Sequence, residues 1–150
     1  MTYIPNKYTN IVYLTSLSFF VNFLSCIKNK YYFSGIFSLF LYFTTISLWS
    51  NFKEGYRHKL DKNVVIIYST ITAIEMFIKN KYWYVYYIIS LINICLFFFN
   101  KYFFYNEIRY LQNNEKKVDD LLYWIIIFAH TVSLHLVQGL SMAYMVEYYP

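Results

Sequence analysis

The chain alternates between long uncharged, apolar runs and short clusters of charge. Residues 8–27, 31–52, 82–100 and 121–145 contain no Lys, Arg, Asp or Glu, and residues 63–78 contain one such residue, Glu75. A helix of about 20 residues, rising about 1.5 Å per residue, spans the ~30 Å hydrocarbon core of a bilayer. The five runs therefore predict five transmembrane helices at those boundaries. A membrane β-barrel would show short segments of alternating polarity separated by turn residues. Here the runs are continuous and the whole chain holds three Gly and two Pro, which favours helices. The expected fold is all-α, a polytopic transmembrane helical bundle forming one domain over residues 1–150.

The breaks between the runs predict how the helices connect. Lys28-Asn29-Lys30 is short enough to force an antiparallel hairpin between the first two spans, and Lys79-Asn80-Lys81 does the same for the third and fourth. Residues 101–120 form the one long polar segment. Its pattern YFFYNEIRYLQ predicts an interfacial helix continuing from the fourth span, followed by a loop at residues 113–117. Tyr31, Tyr32 and Trp49 flank the second span, and Tyr82, Trp83 and Tyr84 open the fourth, where amphipathic rings anchor at headgroup level. Small residues predict close helix contact at Ser34, Gly35 and Ser38 and at Gly139-x-x-x-Ala143.

Composition sharpens this picture. Hydrophobic residues make up 59% of the chain and charged residues 14%, against roughly a quarter charged in soluble domains. Phe, Tyr, Ile, Asn, Leu and Lys are abundant while Gly, Ala, Pro and Arg are scarce, the signature of AT-rich codons. An organellar genome or a large DNA virus is the expected origin, with the Phe and Tyr excess pointing to a mitochondrial gene. The start MTYIPNKYTN has neither an Arg-rich presequence nor a small-residue cleavage site, so an uncleaved N-terminus is expected.

The net charge of +5 is explained by topology rather than by nucleic acid. With five spans, Lys7, Lys53, Arg57, Lys59, Lys62, Lys101, Arg109, Lys116 and Lys117 share one side, and Lys28, Lys30, Lys79 and Lys81 the other. Positive charge concentrates on the inner side, which places the N-terminus inside. Cys26 and Cys95 both lie within spans, so no disulfide is expected.

Three polar exceptions are candidate chemistry. Glu75 is an ionisable group inside a span, which costs about 3 kcal/mol at mid-helix and so marks a proton site, a polar core contact or a headgroup contact. Its plain alternative is an i,i+4 ion pair with Lys79 at the boundary. The loop of residues 53–62 is either a phospholipid-gripping site, at about 1 kcal/mol per basic group, or a solvated topogenic loop. His130 and His135 lie five residues apart, about 140° around an α-helix at 3.6 residues per turn. They are therefore expected to be polar core residues on different faces rather than a metal pair, and no metal ligand set is assigned.

In order along the chain, these exceptions resemble mitochondrial cytochrome c oxidase subunit III. In that family a tryptophan-bearing span end leads into a loop reading roughly R-E-G-x-Y-x-G-x-H; here Trp49 precedes Lys53-Glu54-Gly55-Tyr56-Arg57-His58. The family's next helix carries Ser-Glu, aromatics and a Trp; here Ile74-Glu75-Met76-Phe77 leads to Tyr82-Trp83. A later family helix reads D-x-x-Y…F…H-x-x-H-V-x-x-G; here Asp119/Asp120, Tyr123, Phe128 and His135-Leu136-Val137-Gln138-Gly139 follow that order, with Val132 where the first histidine would fall.

The resemblance implies a multi-pass, non-redox subunit of a respiratory-chain complex in the mitochondrial inner membrane. Such a subunit has no cofactor of its own, binds phospholipid and supports the catalytic subunit. Glu75 would be the intramembrane carboxylate, Lys53, Arg57, His58 and Trp83 the lipid-binding groups, and His130 and His135 polar core residues. Its expected partners are the other subunits and membrane lipids. The alternatives are a structural subunit of another respiratory complex and a zinc-dependent membrane hydrolase of the alkaline ceramidase and hemolysin III type. The hydrolase family pairs S-x-x-x-H with R-x-L-D and H-x-x-x-H. This chain offers Ser47-x-x-x-Asn51, then Arg57-His58-Lys59-Leu60-Asp61, then His130 and His135.

Overall fold

A computed structural model describes residues 4–50 and 56–149, with the side chains of Asn6 and His58 excepted. The helices are α1 (Asn6–Lys28), α2 (Tyr32–Trp49), α3 (Tyr56–Lys79), α4 (Trp83–Asn100), α5 (Asn106–Asn113), α6 (Asp120–His130) and α7 (Leu140–Tyr148). Two π-helical stretches, Lys101–Tyr105 and Thr131–Gly139, join α4 to α5 and α6 to α7 without a break. The described residues thus form an all-α bundle of five rods.

Four of the rods are long and apolar enough to cross a membrane: Lys7–Lys28, Tyr32–Trp49, Trp83–Asn113 and Asp120–Tyr148. The protein is an integral-membrane helical bundle. The fifth expected span, residues 63–78, is the C-terminal part of α3, whose first turns carry Arg57, Lys59, Asp61 and Lys62. The expected loop over 53–62 is therefore corrected: from Tyr56 onward it is helix. Arg57 donates from Nη1 to the Ser47 carbonyl at 3.2 Å, and Asp61 accepts from two α2 hydroxyls, so α2 holds this charged turn in place.

Cross-helix bonds fix the directions of the rods. α1 and α2 run antiparallel, with Asn22 bonded to Ser38. α3 returns along α2, touching Thr44 and Thr45 through Asp61 at one end and Ser34 through Glu75 at the other. The last rod lies parallel to α1, which Lys7–Asp120 ties at one end (2.9 Å) and Lys28–Glu147 at the other (2.7 Å). Both of those bridges are largely solvated and hold little energy, so they register the helices more than they stabilise them.

Small residues allow the close approaches. Gly35 faces Cys26 and Ile27, where an added Cβ would sit 3.0–3.3 Å from their side chains. Gly139 faces Ser18, whose Oγ would lie 2.7 Å from an added Cβ. α1 is thus the central rod, contacted on two faces through glycines. Tyr31 and Trp49, expected as headgroup anchors, are each only 3% exposed and pack into the bundle instead. Trp49 does so against Ile4, Tyr8, Ile108 and Tyr123, the cluster that closes the end holding the N-terminus and the 114–119 turn.

The rod from Trp83 to Asn113 is 31 residues, about 46 Å at the α-helical rise, and overshoots the hydrocarbon core. The polar segment accordingly begins as a continuation of this rod, as its pattern predicts, and breaks at Asn114, with Glu115 at φ 56°. A bulky side chain at position 139 would force Ser18 off the His135 carbonyl and push the two rods apart. Gly139→Leu is expected to destabilise the bundle by about 1–3 kcal/mol, read as a lower unfolding midpoint in mixed micelles; an unchanged midpoint would show that the approach is not close.

Candidate functional site

Glu75 sits at the meeting point of α2 and α3. Helix α2 begins after Tyr31, which offers its first turn no side-chain cap. Its free N–H groups need acceptors, because lipid supplies none. Glu75 provides one from the neighbouring helix: its Oε2 accepts from the Ser34 backbone N–H at 2.7 Å and from the Ser34 hydroxyl at 2.6 Å. Its Oε1 accepts from Lys79 at 2.9 Å, one turn later on α3. Lys79 also donates to the Lys30 carbonyl at 2.8 Å and lies 5.2 Å from the centroid of the Tyr31 ring. The carboxylate is 6% exposed and both its oxygens are engaged. A negative group at a helix N-terminus also complements the helix dipole. Glu75 therefore caps α2 in trans and locks the turn between α1 and α2 onto α3.

Asp61 repeats the device at the other end of the same pair. Its Oδ1 accepts from Thr44 Oγ1 at 3.0 Å and Thr45 Oγ1 at 3.1 Å. Two carboxylates on α3, fourteen positions apart, thus clip α2 near both ends.

The histidines depart from expectation. His130 and His135 have ring centroids 5.0 Å apart in an edge contact, so they do share a face. The reason is the π-helical register of Thr131–Gly139. Bonding from i to i+5 lengthens each turn by about one residue, so positions five apart come nearly into line. The 140° separation holds for an α-helix, and the chain between these residues is not one. His130 also meets Trp49 at 4.9 Å, and His135 meets Phe19 at 5.1 Å. His135 is 2% exposed, with Nδ1 3.0 Å from Thr15 Oγ1, while Ser18 Oγ donates to its carbonyl at 2.6 Å. α1 grips the π segment at three consecutive points: Thr15, Ser18 and the Ser18–Gly139 contact. Among the described residues, no three His, Cys, Asp or Glu side chains converge as a metal ligand set, and Asp61 does not join the histidines.

The four lipid-binding candidates do not form one site. Lys53 lies outside the described residues, and so does the His58 side chain. Arg57 sits in the first turn of α3. Trp83 is half-buried and packs on Phe77, near the last turn of α3, at 5.2 Å, and on Tyr87 at 5.3 Å. Twenty helical residues separate Arg57 from Phe77, about 30 Å, so Arg57 and Trp83 stand at opposite ends of the bundle.

Sequence reasoning passed over the amides, which carry much of the polar bonding between the rods. Asn22 Nδ2 donates to Ser38 Oγ (3.1 Å) and Tyr68 Oη (2.8 Å), joining α1, α2 and α3 in a buried knot. Gln138 Nε2 donates to Tyr86 Oη (2.6 Å) and Ser90 Oγ (3.2 Å), and its Oε1 accepts from Asn93 at 3.0 Å. Asn100 donates to the Ile126 carbonyl at 3.4 Å. Tyr86, Asn93 and Asn100, spaced by seven, are the only buried residues of α4. Tyr86 also packs with Met76, Met142 and Met145 at one end of α4, and from there on the helix is held to the bundle by a polar seam. The readable signal was a strongly polar amide inside an uncharged run, at a heptad interval.

No family model matches the chain, and no curated protein or solved structure matches it.

Two measurements test this account. Glu75→Ala strands the Ser34 N–H and leaves Lys79 with the Lys30 carbonyl alone, and is expected to cost about 1–3 kcal/mol. Glu75→Gln keeps an acceptor for Ser34 and should retain most of the wild-type midpoint in a detergent unfolding series. Equal loss in both variants would mean that the charge, and not the cap, is what matters. Gln138→Leu removes the centre of the α4 seam, at about 1 kcal/mol, and should raise amide hydrogen exchange along α4 selectively; uniform protection would disprove the seam.

Proposed function

We propose that this chain is a non-redox, structural subunit of a larger membrane complex. Its most specific form is a subunit of a mitochondrial respiratory-chain complex similar to cytochrome c oxidase subunit III. The observation that carries the reading is the division of labour on α4. Its three buried residues hold the bundle, while Leu91, Ile92, Leu96, Phe98 and Phe99 are exposed, and the aromatic surface continues through Tyr102 and Phe103. A 31-residue rod that gives one narrow polar seam to its own bundle leaves a long apolar face for a neighbouring subunit or lipid.

The interior points the same way. Glu75, Asp61, His135, Asn22 and Gln138 are each bonded within the bundle, to a helix N-terminus, hydroxyls, the Lys79 ammonium and the Asn93 amide. Such groups build a scaffold. In this reading the capped Glu75 positions helices, and redox chemistry belongs to the neighbouring subunit.

The test is native electrophoresis of membranes solubilised in mild detergent. The chain is expected to migrate far above its own 18.3 kDa mass, together with haem-bearing subunits. A monomer under those conditions sinks the subunit reading. A large complex without haem would move the chain to a different assembly. Stoichiometric zinc lost on changing His130 or His135 would instead favour the hydrolase alternative.

A further inference from the structure

α4 and α7 part company at one end of the bundle. The Gln138 seam ties α4 to the last rod at Tyr86 and Ser90, Tyr86 packs inward with Met142 and Met145, and a further polar tether lies toward the tip. There Asn80 donates to the Tyr149 carbonyl, and the rings of Tyr82 and Tyr149 meet at 5.2 Å. Between these two tethers lies a groove of about 320 Å³, open on one side. Val85 and Ile89 of α4 and Ser141 and Met145 of α7 form its walls, and Tyr82 and Tyr149 stand at its mouth. The groove runs from the end of the bundle toward its middle, parallel to the path of a lipid chain, and Tyr144, which also lines it, is exposed.

Charge at the mouth identifies the occupant. Four lysines belong to this end of the bundle. Lys28 is held by Glu147 and Lys79 by Glu75. Lys30 and Lys81 have no carboxylate within ion-pair distance among the described residues. The Lys81 ammonium stands 5.7 Å from the centroid of the ring of Tyr82, which lines the groove. An apolar slot at membrane depth with an ammonium and phenol rings at its polar end fits an amphiphile with an anionic head. We propose that this groove holds one acyl chain of a phospholipid, with the lipid phosphate at Lys81. The assignment rests on residence in the bilayer and not on membership of any particular complex. It also differs from the sequence expectation, which placed lipid contacts at Lys53, Arg57, His58 and Trp83.

The ammonium supplies the head-group selection and the groove supplies the chain. A phosphate in the interfacial region is attracted to basic groups there, and a chain leaving the bilayer for a preformed apolar slot replaces one apolar environment by another. The chain therefore adds little driving force, so the phosphate contact should decide which lipid is retained.

The full-length protein is reconstituted in vesicles doped with either of two probes that carry the same photoreactive acyl chain. One is phosphatidylglycerol and the other is diacylglycerol, which lacks the phosphate. Crosslinked residues are then mapped by mass spectrometry. The phosphatidylglycerol probe is expected to label Val85, Ile89, Ser141 and Met145 at least threefold more than the Leu91–Ile92 face, and threefold more than diacylglycerol labels the same positions. Lys81→Gln should bring the two probes level without moving the unfolding midpoint. Ser141→Leu and, separately, Val85→Phe should each reduce groove labelling by filling the slot, so a folding defect in one leaves the other as the readout. Labelling spread evenly over α4, or a probe ratio unchanged by Lys81→Gln, overturns the proposal. Because no partner subunit is present in the vesicles, neither result bears on the native-gel test of the subunit reading.

Discussion

A hydrocarbon surround accepts and donates no hydrogen bonds, and that single constraint orders the rest of this structure. Most polar groups that enter the membrane-spanning rods are met by a carbonyl of their own helix or by a partner on another rod. The chain meets this with a few multivalent side chains. Asn22, Gln138, Glu75 and Asp61 each bridge two or more groups on neighbouring helices. Remove the requirement and the helices would be greasy cylinders with no preferred register, since lipid tails are as apolar as the side chains they would replace.

The partners are placed so that each bond fixes a different degree of freedom. Glu75 and Asp61 set the sliding position of α3 on α2 by holding it near both ends. Asn22 fixes the rotation of α1 against that pair. Gln138 and Asn100 fix α4, whose apolar packing on the bundle is concentrated around Tyr86 at one end. The glycines at 35 and 139 then let α1 approach closely enough for Ser18 to reach the His135 carbonyl and Thr15 its ring. Helix α1 consequently acts as the spine, and opposite it lies the longer of the two π-helical stretches.

Much of this was legible from residue order. The uncharged runs predict the helices, and the runs of Lys-Asn-Lys predict both tight turns. The i,i+4 spacing of Glu75 and Lys79 predicts their pairing, and the small residues at 34, 35, 38, 139 and 143 all lie at buried positions. The candidate site was legible only in part. Glu75 stands out in the sequence because a charge in a span is rare, but its partner Ser34 lies forty-one positions away and looks like any other serine. The amides were passed over for the same reason: their importance depends on what faces them. The histidine pair was misjudged because the angular argument assumed 100° per residue through a segment that is π-helical.

Sequence alone determined that this chain is built from helices apolar and long enough for a bilayer, and that each Lys-Asn-Lys turn joins antiparallel neighbours. Those conclusions depend on hydrophobic length and on the parity of short turns, which are local properties. The tertiary structure decided which polar residues meet, that Glu75 caps α2 from α3, that His130 and His135 share a face, and that α4 hangs on a polar seam beside an open groove. Those outcomes depend on helix rotation and register, which arise from many weak contacts between distant residues and leave no signature in a run of uncharged side chains.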